Sequence, residues 1–386
     1  MPDADRHPAA PCLESLANLS ALIRSTAMRS EQRGRLDQNL VAELKEHRFF
    51  RLWIPRTYDG DEMPLPAACQ VFEAAAYEDG ATGWTIMIGA GGGLFGATME
   101  PPAAREIFGD PLAVIAGSGN PTGTARQVET GYRVDGRWHY ASGAHHATWF
   151  TANTIVHEAG QPVRDSAGAP VMRAMAFPAD GVEIIPAWDV TGMRATGSDD
   201  FVVRDRYVPA YRSFDVFGEL REDGPLYRYP FMSLTELSVA AVALGIGRRA
   251  LDEWAAFANA KLPLGGGEPL AAQPHAATRF AEATATLSAA RAFWSDQLTT
   301  SWANVERGGS LDDAELANVR LAAYHAAQGT RRAIDVLREI SGMSPLFDDS
   351  AFGRCWRDAH AVSQHMVVSP AVLEPSGRAL LQRDAG

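Results

Sequence analysis

Two histidines lie five residues apart in the segment RCWRDAHAVSQHMVVSP (354–370). Histidine is the side chain whose ordinary pKa lets it donate or accept a proton near neutral pH. On a helix turning about 100° per residue, His365 lies roughly 80° to one side of an apolar seam and His360 about 140° to the other. The seam should face the protein interior and comprises Cys355, Ala359, Val362 and Met366. The two imidazoles therefore cannot share a ligand. Spacing leaves His365 open to two interpretations, a functional group or a boundary residue bonded to a backbone carbonyl.

The remaining motifs favour neither a metal site nor a nicotinamide site. His145 and His146 are adjacent in a segment typical of a strand or loop, where successive side chains point to opposite faces. No HExxH, two-histidine-one-carboxylate or GxSxG pattern occurs. Two glycine-rich stretches, GGGLFG (91–96) and GIGRRA (245–250), match part of the dinucleotide fingerprint. Neither follows a strand and opens a helix within a βαβ unit, so close helix packing explains them better.

Composition restricts the class of protein and its partners. The chain has 386 residues, ordinary apolar content and a net charge of -12, which indicates a globular, multi-domain enzyme that does not bind nucleic acid. Its three cysteines show no CxxC spacing, so we expect a reducing compartment. The first residues lack the apolar core of a signal peptide, and no stretch reaches about 18 consecutive apolar residues. We therefore expect a cytoplasmic protein that has no membrane partner.

The elements that position these residues follow from hydrophobic periodicity. Residues 13–50, 65–77 and 80–98 show the helical period, which predicts an N-terminal α-helical domain over 1–110. Short alternating runs with Gly, Asp and Pro predict a central antiparallel β-barrel or sandwich over 111–215, with Asp135-Gly136 as a hairpin turn. Four long helical patterns predict a C-terminal four-helix bundle over 216–386. The predicted fold class is α+β.

The order of these features resembles one known family. The chain is similar to the acyl-CoA dehydrogenase fold, and within it to the two-component flavin-dependent monooxygenases. The stretches that carry the resemblance span about 290 residues in the expected order: YEDGATGW (77–84), VIAGSGNPTGTA (114–125), GRWHYASGAHHATWF (136–150), WDVTGMRATGSDDFVVRDRYVP (188–209) and RCWRDAHAVSQH (354–365).

The resemblance implies roles for particular residues. Ser142 and His365 correspond to catalytic positions beside the reactive edge of the flavin. Trp84 and Phe95 would line the substrate pocket. The remaining cofactor contacts would come from Ser118, Asn120, Thr122, Ser142, Gly143, Trp149 and Arg357.

The resemblance also implies the reaction. Reduced FMN or FAD, supplied by a separate NAD(P)H:flavin reductase, would react with O2 to form a C4a-hydroperoxyflavin that oxygenates a small aromatic or natural-product substrate. A partner reductase is needed because the sequence shows no nicotinamide-binding domain. Proteins of this fold assemble as tetramers, so we expect a homotetramer.

Departures from the family pattern keep alternatives open. The stretch after His360 contains no Glu, whereas α-proton abstraction from a thioester needs a carboxylate base. An acyl-CoA dehydrogenase would therefore have to use another base, such as Glu236 or Glu253, and a non-catalytic family member is a third possibility. The segment after Trp84 lacks the histidine that helps to activate a phenol in similar hydroxylases. In the stretch NAKLPLGGGEPL, which follows the first bundle helix, Lys261 is the single cation. The phenolic substrate and the choice between FAD and FMN therefore stay open.

Overall fold

Helices occupy the N-terminal part of the chain in a computed structural model that describes residues 7–263 and 265–382. The continuous helical pattern predicted over 13–50 is broken near Gly34, whose positive φ of 65° ends the first helix in a left-handed turn. Asp37 then caps the second helix by accepting from the backbone N–H of Asn39. The helices are α1 (Ala10–Arg33), α2 (Gln38–Glu46), α3 (Leu65–Glu78), α4 (Gly80–Gly93) and α5 (Pro101–Phe108).

An eight-stranded sheet follows, and it corrects the predicted antiparallel barrel. The strands are β1 (Ile115–Val128), β2 (Gly131–Trp138), β3 (Trp149–Glu158), β4 (Gln161–Pro162), β5 (Met172–Pro178), β6 (Glu183–Ile185), β7 (Asp200–Pro209) and β8 (Ser213–Phe214). Their order is β6-β7-β2-β1-β3-β5-β8, with β4 paired to β3. The sheet is not closed, because β6 and β8 lie at its opposite ends. It is also mixed, since the connection 139–148 returns the chain so that β3 pairs with β1 in parallel.

The predicted hairpin at Asp135-Gly136 is wrong. The β1–β2 turn lies earlier, because Val128 already pairs with Gly131. Asp135 and Gly136 lie inside β2, where the register against β7 shifts. A Cβ at Gly136 would come within 2.6 Å of the fully buried Trp138 ring, so glycine is required by close packing here.

Long helices form the C-terminal part of the chain: α6 (Pro225–Arg228), α7 (Phe231–Ala260), α8 (Pro274–Glu306), α9 (Asp313–Glu339), α10 (Ala351–Val362) and α11 (Leu373–Gln382). α7 packs against α3 and α9, and α8 packs against α9. α7 is apolar and long enough to cross a membrane, but 78% of its most apolar window is buried inside the protein, as in the core helix of a soluble fold.

The helices and the sheet each contain a large hydrophobic core. One joins N-terminal and C-terminal helices in a single apolar cluster that runs from Ala9 to Val368. The second lies within the sheet around Trp138 and Phe201, whose rings stack with centroids 5.1 Å apart. The independent domains proposed over 1–110, 111–215 and 216–386 stay a prediction.

Candidate active site

Three of the predicted site residues meet where α4, the β2–β3 connection and the end of α10 converge. Trp84 Nε1 donates a hydrogen bond of 2.9 Å to Ser142 Oγ. The Trp84 and His365 rings pack edge to face, with centroids 5.4 Å apart. Trp84 and Ser142 are buried, which removes this polar contact from bulk water. The structure therefore brings together an indole, a hydroxyl and an imidazole that are distant in sequence.

Local features of the chain explain the positions of Trp84 and Ser142. Asp79 caps α4 by accepting hydrogen bonds from Thr82, so α4 begins directly after α3. Gly83 allows a close approach between the two helices, because a Cβ there would lie 2.5 Å from the backbone nitrogen of Ala76. Gly143, with φ of 77°, turns the chain immediately after Ser142. The capped start of α4 and the turn at Gly143 therefore set the positions of Trp84 and Ser142.

His365 lies beyond α10 rather than on it, which corrects the helical geometry assumed from the sequence. α10 ends at Val362, and His365 has the extended φ and ψ of -60° and 137°. The buried seam contains Cys355, Ala359 and Val362 but stops there, because Met366 is 70% exposed. The rotation of His365 about the helix axis was therefore a wrong basis for judging its direction.

The environment of His365 distinguishes it from His360. The side chain of His365 is half-buried, and its Nδ1 atom is fully buried without a hydrogen-bond partner among the described residues. Burial lowers the pKa of His365, so its imidazole is neutral at pH 7. His360 instead bonds to Asp335 at 2.7 Å. The alternative that His365 bonds to a backbone carbonyl through Nδ1 is thus not what the structure shows.

Ser142 is also the end of a series of hydroxyl groups that the sequence did not reveal. Ser142 Oγ lies 2.7 Å from Ser198 Oγ, which lies 2.7 Å from Thr196 Oγ1. Thr196 Oγ1 donates to the carbonyl oxygen of Met193 at 2.8 Å. Both added hydroxyls belong to a Thr-Gly-Ser sequence whose Gly197 has φ of 54°. In the sequence, this pair of small hydroxyl residues around a turn glycine was the feature that could have indicated the series.

Buried carboxylates hold the loop that carries this series. Asp358 Oδ1 accepts a hydrogen bond of 2.6 Å from the backbone N–H of Met193. Burial, followed by the neighbouring charge of Asp79, raises the pKa of Asp358 to about 7. Asp199 accepts from two backbone N–H groups of the preceding segment and bonds to His145. His145 therefore supports the loop through Asp199.

The residues predicted on β1 lie at an irregular and more exposed part of the strand. The pairing of β1 with β3 shifts register between Ser118 and Gly123. Ser118 is half-buried, whereas Asn120 and Thr122 are exposed. Thr122 Oγ1 donates to the carbonyl of Arg137 at 2.7 Å. Their role as cofactor contacts stays a prediction.

Three further predicted residues have partners elsewhere in the fold. Trp149 is buried on β3 beneath the guanidinium of Arg212, 5.1 Å from its ring centroid. Phe95 is half-buried in the turn after α4 and packs against Phe214. Arg357 donates to Glu31 at 2.7 Å and so links α10 to α1. None of these contacts involves the Trp84–Ser142–His365 cluster, and their roles stay predictions.

The carboxylates proposed for the dehydrogenase alternative are each paired with arginine. Glu236 is buried on α7 and bonds to Arg320 at 3.0 Å, although burial raises its pKa. Glu253 pairs with Arg249 one turn away on the same helix. Within 7–263 and 265–382, no group of three or more His, Cys, Asp or Glu residues is arranged to hold a metal ion.

A reduced flavin matches the polar groups that remain. Its ring presents N–H donors and carbonyl acceptors, whereas the cluster offers a hydroxyl oxygen and a neutral imidazole. The buried Nδ1 of His365 lacks a partner within the described chain, and a buried polar atom of this kind needs one. Ser142 and His365 are therefore suited to contact a bound heterocycle, with Trp84 supporting the serine.

Comparisons with known proteins agree with this chemistry. The family model "Acyl-CoA dehydrogenase, C-terminal domain" matches residues 237–370. Indole-3-acetate monooxygenase from Pseudomonas putida is 29% identical over 343 residues, which cover 89% of this chain and 86% of that protein. The oxygenase subunit HsaA of a flavin-dependent monooxygenase from Mycobacterium tuberculosis H37Rv is 28% identical, covering 93% of this chain and 92% of that protein.

Solved structures show the same similarity over nearly the whole chain. XiaF from Streptomyces sp., in complex with FADH2 and glycerol, superposes with a TM-score of 0.88 at 24% identity, covering 97% of this chain and 96% of that one. The 3-HSA hydroxylase from Rhodococcus sp. RHA1 has a TM-score of 0.83 at 25% identity, covering 99% and 97%. The fold is thus acyl-CoA dehydrogenase-like, with mixed helical and sheet content. Within that fold, the chain is similar over most of its length to flavin-dependent monooxygenases, among them an oxygenase subunit.

Proposed function

We propose that this chain is the oxygenase component of a two-component system that inserts one oxygen atom from O2 into a small aromatic or natural-product substrate. A separate NAD(P)H:flavin reductase would supply the reduced FMN or FAD. The observation that carries the proposal is the buried Trp84–Ser142–His365 cluster, in which an imidazole nitrogen has no partner among the described residues. When bound, the reduced flavin supplies the oxygen-activating chemistry.

The residues of this chain then have distinct tasks. Ser142 holds a flavin ring atom through its hydroxyl group, and Trp84 keeps that hydroxyl in place. His365, neutral because burial lowers its pKa, offers one donor and one acceptor near the reacting edge. The apolar surroundings of the indole exclude water, which would otherwise compete for these hydrogen bonds.

The nature of the substrate is supported by the names of relatives. Indole-3-acetate monooxygenase and the oxygenase component of a resorcinol hydroxylase from Rhizobium sp. both carry the names of aromatic compounds. The proposal extends to a cytoplasmic homotetramer assembled through a C-terminal four-helix bundle. It also extends to direct flavin contacts from the β1 segment, Trp149 and Arg357, and to a pocket lined by Trp84 and Phe95.

A flavin-transfer experiment tests the proposal. The purified protein is titrated anaerobically with oxidised and photoreduced FMN and FAD, and the reduced complex is then mixed with oxygenated buffer. We expect the return of oxidised flavin, and with it the release of hydrogen peroxide, to be delayed relative to free flavin. NADH without a reductase should leave the flavin oxidised.

Two outcomes would favour the alternatives. Bleaching of bound oxidised flavin by an acyl-CoA in the absence of oxygen would indicate a dehydrogenase. Failure to bind any of the four flavin forms at micromolar concentration would indicate a non-catalytic family member.

A further inference from the structure

The hydroxyl series beside Ser142 has two ends whose hydrogen-bonding roles are fixed by chemistry. At one end, the indole Nε1–H of Trp84 is a donor only, and at the other the carbonyl oxygen of Met193 is an acceptor only. Between them lie the hydroxyls of Ser142, Ser198 and Thr196, with one proton each. All three are buried, so water does not replace these contacts.

Counting protons leaves a single arrangement that makes every contact. Thr196 must use its proton on the carbonyl of Met193, so it can only accept from Ser198. Ser198 has then used its proton, so it can only accept from Ser142. Ser142 donates to Ser198 and accepts from Trp84, which leaves one lone pair on Ser142 Oγ. The four contacts use four protons, and any reversed hydroxyl would leave a contact unmade.

The acceptor end of this hydroxyl relay (Ser142, Ser198 and Thr196) is held firmly. The backbone N–H of Met193 donates to Asp358 at 2.6 Å, which ties the loop to α10. The Met193 carbonyl also accepts from Trp188 Nε1 at 3.0 Å. Because the carbonyl cannot turn away from Thr196, the order of donors and acceptors is built into the fold.

We infer that the relay makes Ser142 an obligate hydrogen-bond acceptor toward its ligand, and that Thr196 and Ser198 are positioning residues that enforce this. The ligand assignment rests on the proposed function. The resemblance implies that Ser142 lies beside the reactive edge of the flavin, where the reduced form carries an N–H at N5 and the oxidised form has only a lone pair. A serine that can only accept therefore selects the reduced form, and it disfavours the oxidised product that must leave after each turnover.

Four variants separate the hydroxyl relay from general packing. Ser198→Ala removes the acceptor that occupies the Ser142 proton, and Thr196→Val removes the acceptor that occupies the Ser198 proton. Thr196→Ser keeps the hydroxyl and should behave as wild type. Thr330→Val is the matched control, because Thr330 is buried on α9 with a hydroxyl that lacks a partner among the described residues.

The first measurement uses the ligand-free protein. The Trp84 indole N–H resonance is identified among the nine tryptophans by its loss in Trp84→Phe. A hydroxyl that donates is a better acceptor, so Ser198→Ala and Thr196→Val should move this resonance upfield. Thr196→Ser and Thr330→Val should leave it in place. An unchanged resonance in both Ser198→Ala and Thr196→Val would overturn the hydroxyl relay.

The second measurement is the ratio of dissociation constants for oxidised and reduced flavin. In Ser198→Ala the freed Ser142 proton can donate to oxidised N5, so the ratio should fall about tenfold, the effect of one hydrogen bond. Thr196→Val should lower it by a smaller factor, and Thr196→Ser should restore it. A shifted indole resonance with an unchanged ratio would overturn the selection of reduced flavin. Absence of flavin binding would refute the proposed function, and the indole resonance would still decide the relay.

Discussion

Substituting Asp358 by Asn should make the protein more stable at alkaline pH. Asp358 is 4% exposed, and its carboxylate lies near Asp79 and Glu31, with Arg354 as the opposing cation. Asn has nearly the same shape, and its carbonyl oxygen can still accept the hydrogen bond from the Met193 N–H. The substitution therefore removes the ionisation while it preserves the contact with the loop.

The magnitude follows from the pKa of Asp358, which burial and then Asp79 raise from 3.8 to about 7. Between these values the unfolded chain has lost the proton and the folded protein retains it, so the free energy of unfolding falls as pH rises from about 4 to about 7. A tenfold change in proton affinity is worth about 1.4 kcal/mol, which sets an upper bound of about 4 kcal/mol. For 386 residues at roughly 2.1 cal/mol/K each, this corresponds to about 5 °C in melting temperature.

The assay is thermal unfolding of both proteins between pH 5 and pH 8. Asp358→Asn should melt above wild type at pH 8, with the two values converging toward pH 5. Asp335→Asn is a control of opposite sign. Burial acts to raise the pKa of Asp335, but the hydrogen bonds with His360 and Trp356 outweigh burial and lower this pKa below its ordinary value. Its stabilising effect is present at pH 8 and is lost as pH falls through the folded pKa, so this variant should melt below wild type at pH 8. A lower melting temperature of Asp358→Asn at pH 8 would refute the reasoning.

Three further substitutions test the site and the sheet. His365→Ala should shorten the delay before oxidised flavin returns and should release hydrogen peroxide correspondingly sooner, measured by stopped-flow absorbance and a peroxide assay. An unchanged delay would remove His365 from the mechanism. Gly123→Ala places a Cβ 2.0 Å from the buried Trp138 ring and should cost more than about 2 kcal/mol in urea unfolding, whereas Gly119→Ala meets open space and should be neutral. Arg51→Met should lower the free energy of unfolding by about 3 kcal/mol, because the Arg51 guanidinium is buried and donates to four backbone carbonyls. A variant as stable as wild type would contradict this.

Local periodicity predicted most of the long helices and most strands, because both patterns depend on neighbouring residues. The helical period over 65–77 corresponds to α3, and the alternating run WFTANTIVHE corresponds to β3. Strand pairing could not be predicted as well from the sequence. The parallel partnership of β1 and β3, and the position of Asp135-Gly136 inside β2, depend on which distant segment pairs with each strand.

At the candidate site, too, some features could be predicted from the sequence and others depended on the fold. Ser142 and His365 were found through ordered motifs that resemble a family, and the structure places both against Trp84. The helical wheel failed for His365 because α10 ends three residues earlier, and sequence periodicity does not mark that end. Phe95 packs against Phe214 and Arg357 donates to Glu31, and their roles at the site stay predictions, since a residue type does not specify the neighbour that it meets.

The sequence by itself determined the element types, the acidic charge and the absence of a recognisable nicotinamide motif, since these are properties of composition and short-range pattern. Only the tertiary structure decided that three hydroxyls and an indole form one ordered series ending at the Met193 carbonyl, and that one imidazole nitrogen is buried without a partner among the described residues. The physical reason is that donor direction and desolvation depend on every atom surrounding a group. Folding brings those atoms from distant segments of the chain, as for Trp84 and His365, which lie 281 positions apart.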